Sequence, residues 1–212
     1  MHFTLIIAAL VAGALASTEK SPFETNLQKE VSALNLDPVA LPDLEFTVDG
    51  TTERKVKLTQ GKAEGLSEVV RPTGRCVESG SDALCYLSFA GVTITYKAVA
   101  TQPEESFDVE VITAHSLLEL LLGKASDGKT ELKDIHLRAL HQYVKKPLEF
   151  SNNRKDGALF DSILKKKIVQ LLKESPAGTK FQEALKKAFA QEPFPTKEES
   201  ASFEFAVLDG HQ

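Results

Sequence analysis

The side chains best equipped for chemistry in this chain are few, and their spacing excludes more than it suggests. Two cysteines, Cys76 and Cys85, flank a Ser79-Gly80-Ser81-Asp82 turn. That placement suits a disulfide stapling a hairpin, whereas a redox pair needs the closer C-x-x-C spacing. Closing a loop of this length stabilises by roughly 3 kcal/mol on the chain-entropy account. His115, His136 and His141 are the histidines inside the expected folded body, and none stands at a metal-ligand spacing on a shared helix face. They read as surface or hydrogen-bonded side chains. The sequence has no G-x-S-x-G, H-E-x-x-H, Walker-A or G-x-G-x-x-G motif. The expectation is a protein that is not an enzyme and uses no cofactor and no metal.

The remaining charged cluster is Lys165-Lys166-Lys167, followed by Lys173, Lys180, Lys186 and Lys187, with only Asp161, Glu174 and Glu183 interspersed. A basic run on an amphipathic helix is usually its solvated face. The alternative is a surface that meets anionic lipid through Lys165, Lys166 and Lys167. The formal net charge of −5 argues against nucleic acid as a partner, which normally requires a strong basic footprint.

The elements that must carry these groups follow from periodicity. Met1 and His2 precede an apolar run, Phe3 to Leu15, closed by Ala14-Leu15-Ala16. This reads as a cleavable export signal over residues 1–16, with the mature chain starting at Ser17 and secreted. The run is too short for a membrane span, and no later stretch is long and uncharged enough for a transmembrane segment. An oxidising destination agrees with paired cysteines. A single domain is expected over 17–191, with 192–212 as a tail or late edge strand.

Ser21-Pro22-Phe23-Glu24 is a capping box with Pro at the first helical position, and Phe23, Leu27, Val31 and Leu34 form one buried stripe. Asp37-Pro38 and Leu41-Pro42 end that helix. From about Phe46 to Phe150 the period is two, and Val, Thr, Ile and Phe are enriched. Glu53–Thr59 and Glu64–Arg71 read as strands, and Arg71-Pro72-Thr73-Gly74 reads as a turn. Between Cys85 and Tyr96 the apolar set moves from Leu87 and Phe89 to Val92, Ile94 and Tyr96, so Gly91 is expected to be a bulge or bend. Phe107, Val109 and Val111 continue into Leu117–Leu122, and Ser126-Asp127-Gly128-Lys129 turns into Thr130–Leu140. Gly157 onward is helical, with Phe160, Ile163, Leu164, Ile168, Leu171 and Leu172 in a broad stripe. Ser175-Pro176-Ala177-Gly178 interrupts it, and a second helix through Phe181, Leu185 and Phe189 opens at a Thr179-x-x-Gln182 box.

Helix 21–34, the Leu41-Pro42-Asp43 exit, Gly65-Leu66, the Tyr86–Ala98 strand and the Leu159–Leu172 helix occur in an order that resembles the group 7 mite allergens. More distantly, the order is similar to one half of bactericidal/permeability-increasing protein and to the takeout and juvenile-hormone-binding proteins, the TULIP superfamily of secreted lipid binders. The break at Ser175–Gly178 departs from that pattern. The resemblance implies an α+β fold, with a strongly curved antiparallel sheet wrapped around a long C-terminal helix and an amphipathic helix at the N-terminus. It implies a carrier for a lipid, fatty acid or other hydrophobic small molecule in a groove between helix and sheet. The groove would be lined by Leu27, Val31, Leu34, Ile94, Tyr96, Val109, Val111, Phe160, Ile163, Leu164, Ile168, Leu171 and Leu172. Periodicity alone does not separate such a groove from a dry core. The alternative is a secreted interaction protein, or a lipocalin-like binder, that recognises a protein or a bacterial lipid surface; the absence of Trp weighs against the lipocalin.

Overall fold

Ser21 starts the first helix by accepting the Glu24 N–H at 3.3 Å, while its own N–H donates to Glu24 Oε2 at 2.9 Å. This reciprocal cap satisfies two donors that a helix start leaves unpaired. In the computed structural model, which describes residues 20–70, 76–101, 104–114, 116–139, 142–145 and 153–195, the helix is α1 (Pro22–Ala33) and buries Phe23, Leu27 and Val31. The expected signal 1–16, the start at Ser17, the turn 71–74, His115, His141 and the tail beyond 195 lie outside the described residues.

Among the described residues the strands that follow are β1 (Val39–Leu41), β2 (Leu44–Asp49), β3 (Glu53–Glu64), β4 (Cys76–Ser79), β5 (Asp82–Ser88), β6 (Thr93–Ala100), β7 (Glu105–Thr113), β8 (Leu117–Lys124), β9 (Thr130–Ala139) and β10 (Gln142–Lys145). All pairings are antiparallel. One sheet has the order β1-β3-β6-β7-β10, with β2 also on β3; the other is β4-β5-β8-β9. Strand formation thus begins at Val39, before Phe46. The expected strand Glu64–Arg71 is replaced by the end of β3, a 3-10 turn over Leu66–Glu68 and a single bridge from Val70 to Ser88. Asp37 explains this. Its carboxylate accepts the N–H groups of Gly65 at 2.9 Å and Ser67 at 2.8 Å, and these bonds hold the segment in a turn.

The two sheets are halves of one curved surface. Strands β5 to β10 are divided between them, with β5, β8 and β9 in one and β6, β7 and β10 in the other. The pairing carries on through the seam. Phe89 N–H donates to Ser116 O at 2.8 Å, Gly91 N–H to Thr113 O at 2.9 Å and Thr113 N–H to Val92 O at 3.0 Å. The buried Thr113 hydroxyl is shared between the carbonyl oxygens of Phe89 and Val92. Gly91 occupies this seam at φ 89°, a conformation open to glycine and costly for other residues. Burial passes there from Cys85, Leu87 and Phe89 to Val92, Ile94 and Tyr96, so a single face stays inward. Cys76 and Cys85 are directly opposed on β4 and β5 and form a disulfide.

The helices close the concave side. α2 (Arg154–Glu174) starts three residues before Gly157, because Asn153 accepts the N–H groups of Lys155 and Asp156. α3 (Pro176–Phe189) starts at Ser175, whose hydroxyl accepts Gly178 N–H at 3.0 Å. Thr179 therefore lies inside the helix, not at its cap. Phe160 packs on Phe46 and Phe107 at ring distances of 5.6 and 6.4 Å, which places the start of α2 over the first sheet. Phe181 of α3 meets Phe89 at the seam, 6.0 Å away. α1 rests on α3, with Phe23 and Phe189 at 4.5 Å. Burying these stripes supplies the main stabilisation, at about 25 cal/mol per Å² of apolar surface.

Candidate functional site

Two contacts fix α2 at its ends, and what happens between them decides where a ligand can be held. At the N-terminus the Asp156 carboxylate, only 6% exposed, accepts Thr51 N–H at 2.7 Å and the Thr51 hydroxyl at 3.2 Å. This ties the helix to the turn between β2 and β3. At the C-terminus Ser175 serves both helices: its N–H donates to Leu171 O at 3.0 Å while its side chain caps α3. Gln182 Nε2 reaches back to Leu172 O at 3.1 Å, so carbonyl groups left over at the end of α2 gain donors. Gly178 sits so close to this end that an added Cβ would lie 2.5 Å from Leu172 O and 2.6 Å from Leu171 O. The result is a tight elbow facing the seam of the sheet.

Two apolar cavities flank the elbow. The first, about 20 Å³, has contributions from Val39 and Leu41 of β1, Ala63 of β3, Leu66, Phe89, Val92 and Ile94, and, from the helices, Ile168, Leu171, Leu172, Ser175, Ala177, Gly178 and Phe181. The second, about 30 Å³, is enclosed by Phe89, Leu118, Ile135, Val169, Leu172, Phe181 and Leu185, with Lys173 and Gln182 as its polar lining. Each has room for one or two water-sized spheres. Among the described residues these two gaps sit beside the elbow in a space otherwise packed with apolar side chains.

Of the residues expected to line a groove, Ile94, Ile168, Leu171 and Leu172 meet at the first cavity, and Leu172 also borders the second. The others line neither. Leu27 and Val31 are buried on α1, and Leu34 packs partly buried just beyond it. Val109, Val111, Phe160 and Leu164 are fully packed core, and Ile163 is half-buried beside them. Tyr96 is held by a bond from its hydroxyl to Pro42 O at 3.1 Å. Burial, and secondarily the charge of Asp43, pushes its phenol well above the ordinary range, so it remains a donor. Sequence reasoning passed over Phe89, Val92, Ala177 and Phe181 as lining residues. A usable signal was the Ser-Pro pair at 175–176, which marks a helix start, and hence an elbow, just as it does at 21–22.

Lys165 and Lys166 are exposed on α2 and Lys167 is half-buried. Among the described residues no group of His, Cys, Asp and Glu is arranged to hold a metal, and no helix is long and apolar enough to cross a membrane.

No family model and no curated protein matches the chain. Among solved structures it is similar to Takeout 1 of Epiphyas postvittana, at 15% identity and a TM-score of 0.45, over 82% of this chain and 91% of that one. It is also similar to a lipopolysaccharide binding protein, at 12% identity and a TM-score of 0.46, over 78% of this chain and 36% of the other. The chain thus spans about a third of that second protein's length.

Proposed function

We propose that this protein is a secreted, non-catalytic carrier that takes a hydrophobic ligand between the α2–α3 elbow and the concave face of the sheet. The observation behind this reading is the pair of apolar gaps at the elbow. A close-packed interior leaves few voids, and atoms lining a void forfeit dispersion contacts. Side chains there are the cheapest to rearrange, and a ligand entering restores the lost contacts. Val39, Leu41, Leu172 and Ala177 are only partly buried and form the outer rim of the first cavity, while Phe89, Val92 and Ile94 lie beneath. An acyl chain gains about 0.8 kcal/mol per methylene removed from water. A chain of about twelve carbons therefore offers close to 10 kcal/mol before the costs of association and of parting the helices from the sheet. Micromolar affinity is within reach without a charged contact, and selectivity follows length and cross-section.

The test fills the gap and leaves its polarity alone. Ala177→Phe at the rim and Ile94→Phe at the floor should stay folded by circular dichroism and weaken a fluorescent fatty-acid probe at least about tenfold, the loss of one or two methylene contacts. Parent-like probe affinity in both folded variants would place the site elsewhere. Mass spectrometry of an organic extract of the purified protein identifies what it carries.

A further inference from the structure

The two cavities share one wall. Phe89, Leu172 and Phe181 line both, with the Phe89 and Phe181 rings edge-on at 6.0 Å between them. Their polar linings differ in chemistry. In the first cavity the polar side chain is Ser175, whose hydroxyl is engaged by Gly178 N–H at 3.0 Å. The polar side chains that line the second are Lys173 and Gln182. The Gln182 amide is committed to Leu172 O at 3.1 Å, and the neighbouring Glu174 carboxylate to Gln170 at 2.9 Å. Among the described residues no carboxylate forms an ion pair with Lys173. Two adjoining apolar cavities, one lined by a cation and the other by no charged side chain, match an amphiphile in charge and in direction.

We infer that the cavities are two halves of one channel for a single-chain anionic amphiphile, its head at Lys173 and its tail passing the Phe181 ring towards the elbow. This rests on the carrier reading above and names the class and orientation of the ligand. Phe181 then sets the usable length, since the tail reaches the first cavity only if the ring turns aside. Lys173 sets the preference for an acid head, modestly, because an exposed ion pair is screened by water and salt.

Titrating the full mature chain with octanoate, palmitate and hexadecanol separates these roles. The parent should bind palmitate roughly two- to fivefold more tightly than hexadecanol, with the difference shrinking as salt rises. Lys173→Gln should remove that preference, bringing the palmitate and hexadecanol affinities together. Phe181→Leu keeps an apolar side chain in the core and should raise the palmitate-to-octanoate ratio by about tenfold, the worth of one to two further buried methylenes. A folded Lys173→Gln protein with the parent's acid preference, or a folded Phe181→Leu protein with the parent's length profile, overturns the channel while the carrier reading stands. A parent that binds none of the three overturns both.

Discussion

Asp37 shows how much of this fold hangs on one side chain. Burial alone would raise its pKa, yet bonds from the Ser67 hydroxyl, the Ser67 N–H and the Gly65 N–H outweigh that cost and leave it below the ordinary 3.8. A carboxyl whose folded pKa is depressed contributes stability at pH above its unfolded value, and that contribution is lost as pH falls through the folded one. Denaturation midpoints should therefore drop as pH is lowered from about 5 towards 3, and Asp37→Asn should flatten that part of the profile. The same variant should cost about 1 kcal/mol near neutrality, where a charged acceptor is exchanged for a weaker one. An unchanged acid slope in Asp37→Asn would assign the acid sensitivity to other carboxylates. Asp37 escaped sequence reading because its partners lie 28 and 30 positions onward. The disulfide was legible because Cys76 and Cys85 are joined by a local turn that fixes their register.

At the scale of elements, the helix starts illustrate what a local pattern can and cannot reveal. Ser21-Pro22-Phe23-Glu24 carries its whole cap in four residues and was readable in full. The Thr179-x-x-Gln182 box had the right residue types, but Ser175 caps α3, and Gln182 turns back to serve α2. Which partner Gln182 takes depends on the approach of two helices, and that approach is set by Gly178. An Ala at an ordinary helical position gains roughly 0.5–1 kcal/mol over Gly. Here the added carbon would meet backbone oxygens at 2.5 and 2.6 Å, which cannot swing aside as a flexible side chain would. Overpacking costs about 1–3 kcal/mol, so the clash outweighs the propensity and Gly178→Ala should be net destabilising. Each kcal/mol lost should lower Tm by about 2–4 °C in a domain of this size. A higher Tm for Gly178→Ala would show that α2 and α3 do not approach as closely as described.

Across the whole molecule, alternation made the inward face readable and Gly91 gave away the bend, but the number of sheets was not legible. A sheet that folds at a seam requires neighbouring strands to break at the same height, as after Ser88 and after Thr113, and register between distant strands leaves no local mark. The cavities were illegible for a related reason: Phe181 and Phe89 belong to different periodic patterns, and only the tertiary fold sets them against each other. Charge is legible without any fold. Residues 153–195 hold nine Lys and Arg against five Asp and Glu, a balance of +4, so with a total of −5 the rest of the sequence carries −9. A basic segment of this kind favours an anionic surface over a zwitterionic one, within a Debye length of about 8 Å at physiological salt. The alternative reading of Lys165, Lys166 and Lys167, as a surface that meets anionic lipid, then becomes quantitative. A lysine near such a surface is worth about 1 kcal/mol. Since Lys165 and Lys166 are exposed and Lys167 is half-buried, the double variant Lys165→Gln/Lys166→Gln should lose about 2 kcal/mol, roughly thirtyfold in partition onto phosphatidylserine-containing vesicles at low salt. Equal co-sedimentation of the parent with anionic and zwitterionic vesicles would make the lysine run an ordinary solvated face, because a charge-driven contact cannot be indifferent to the charge it meets.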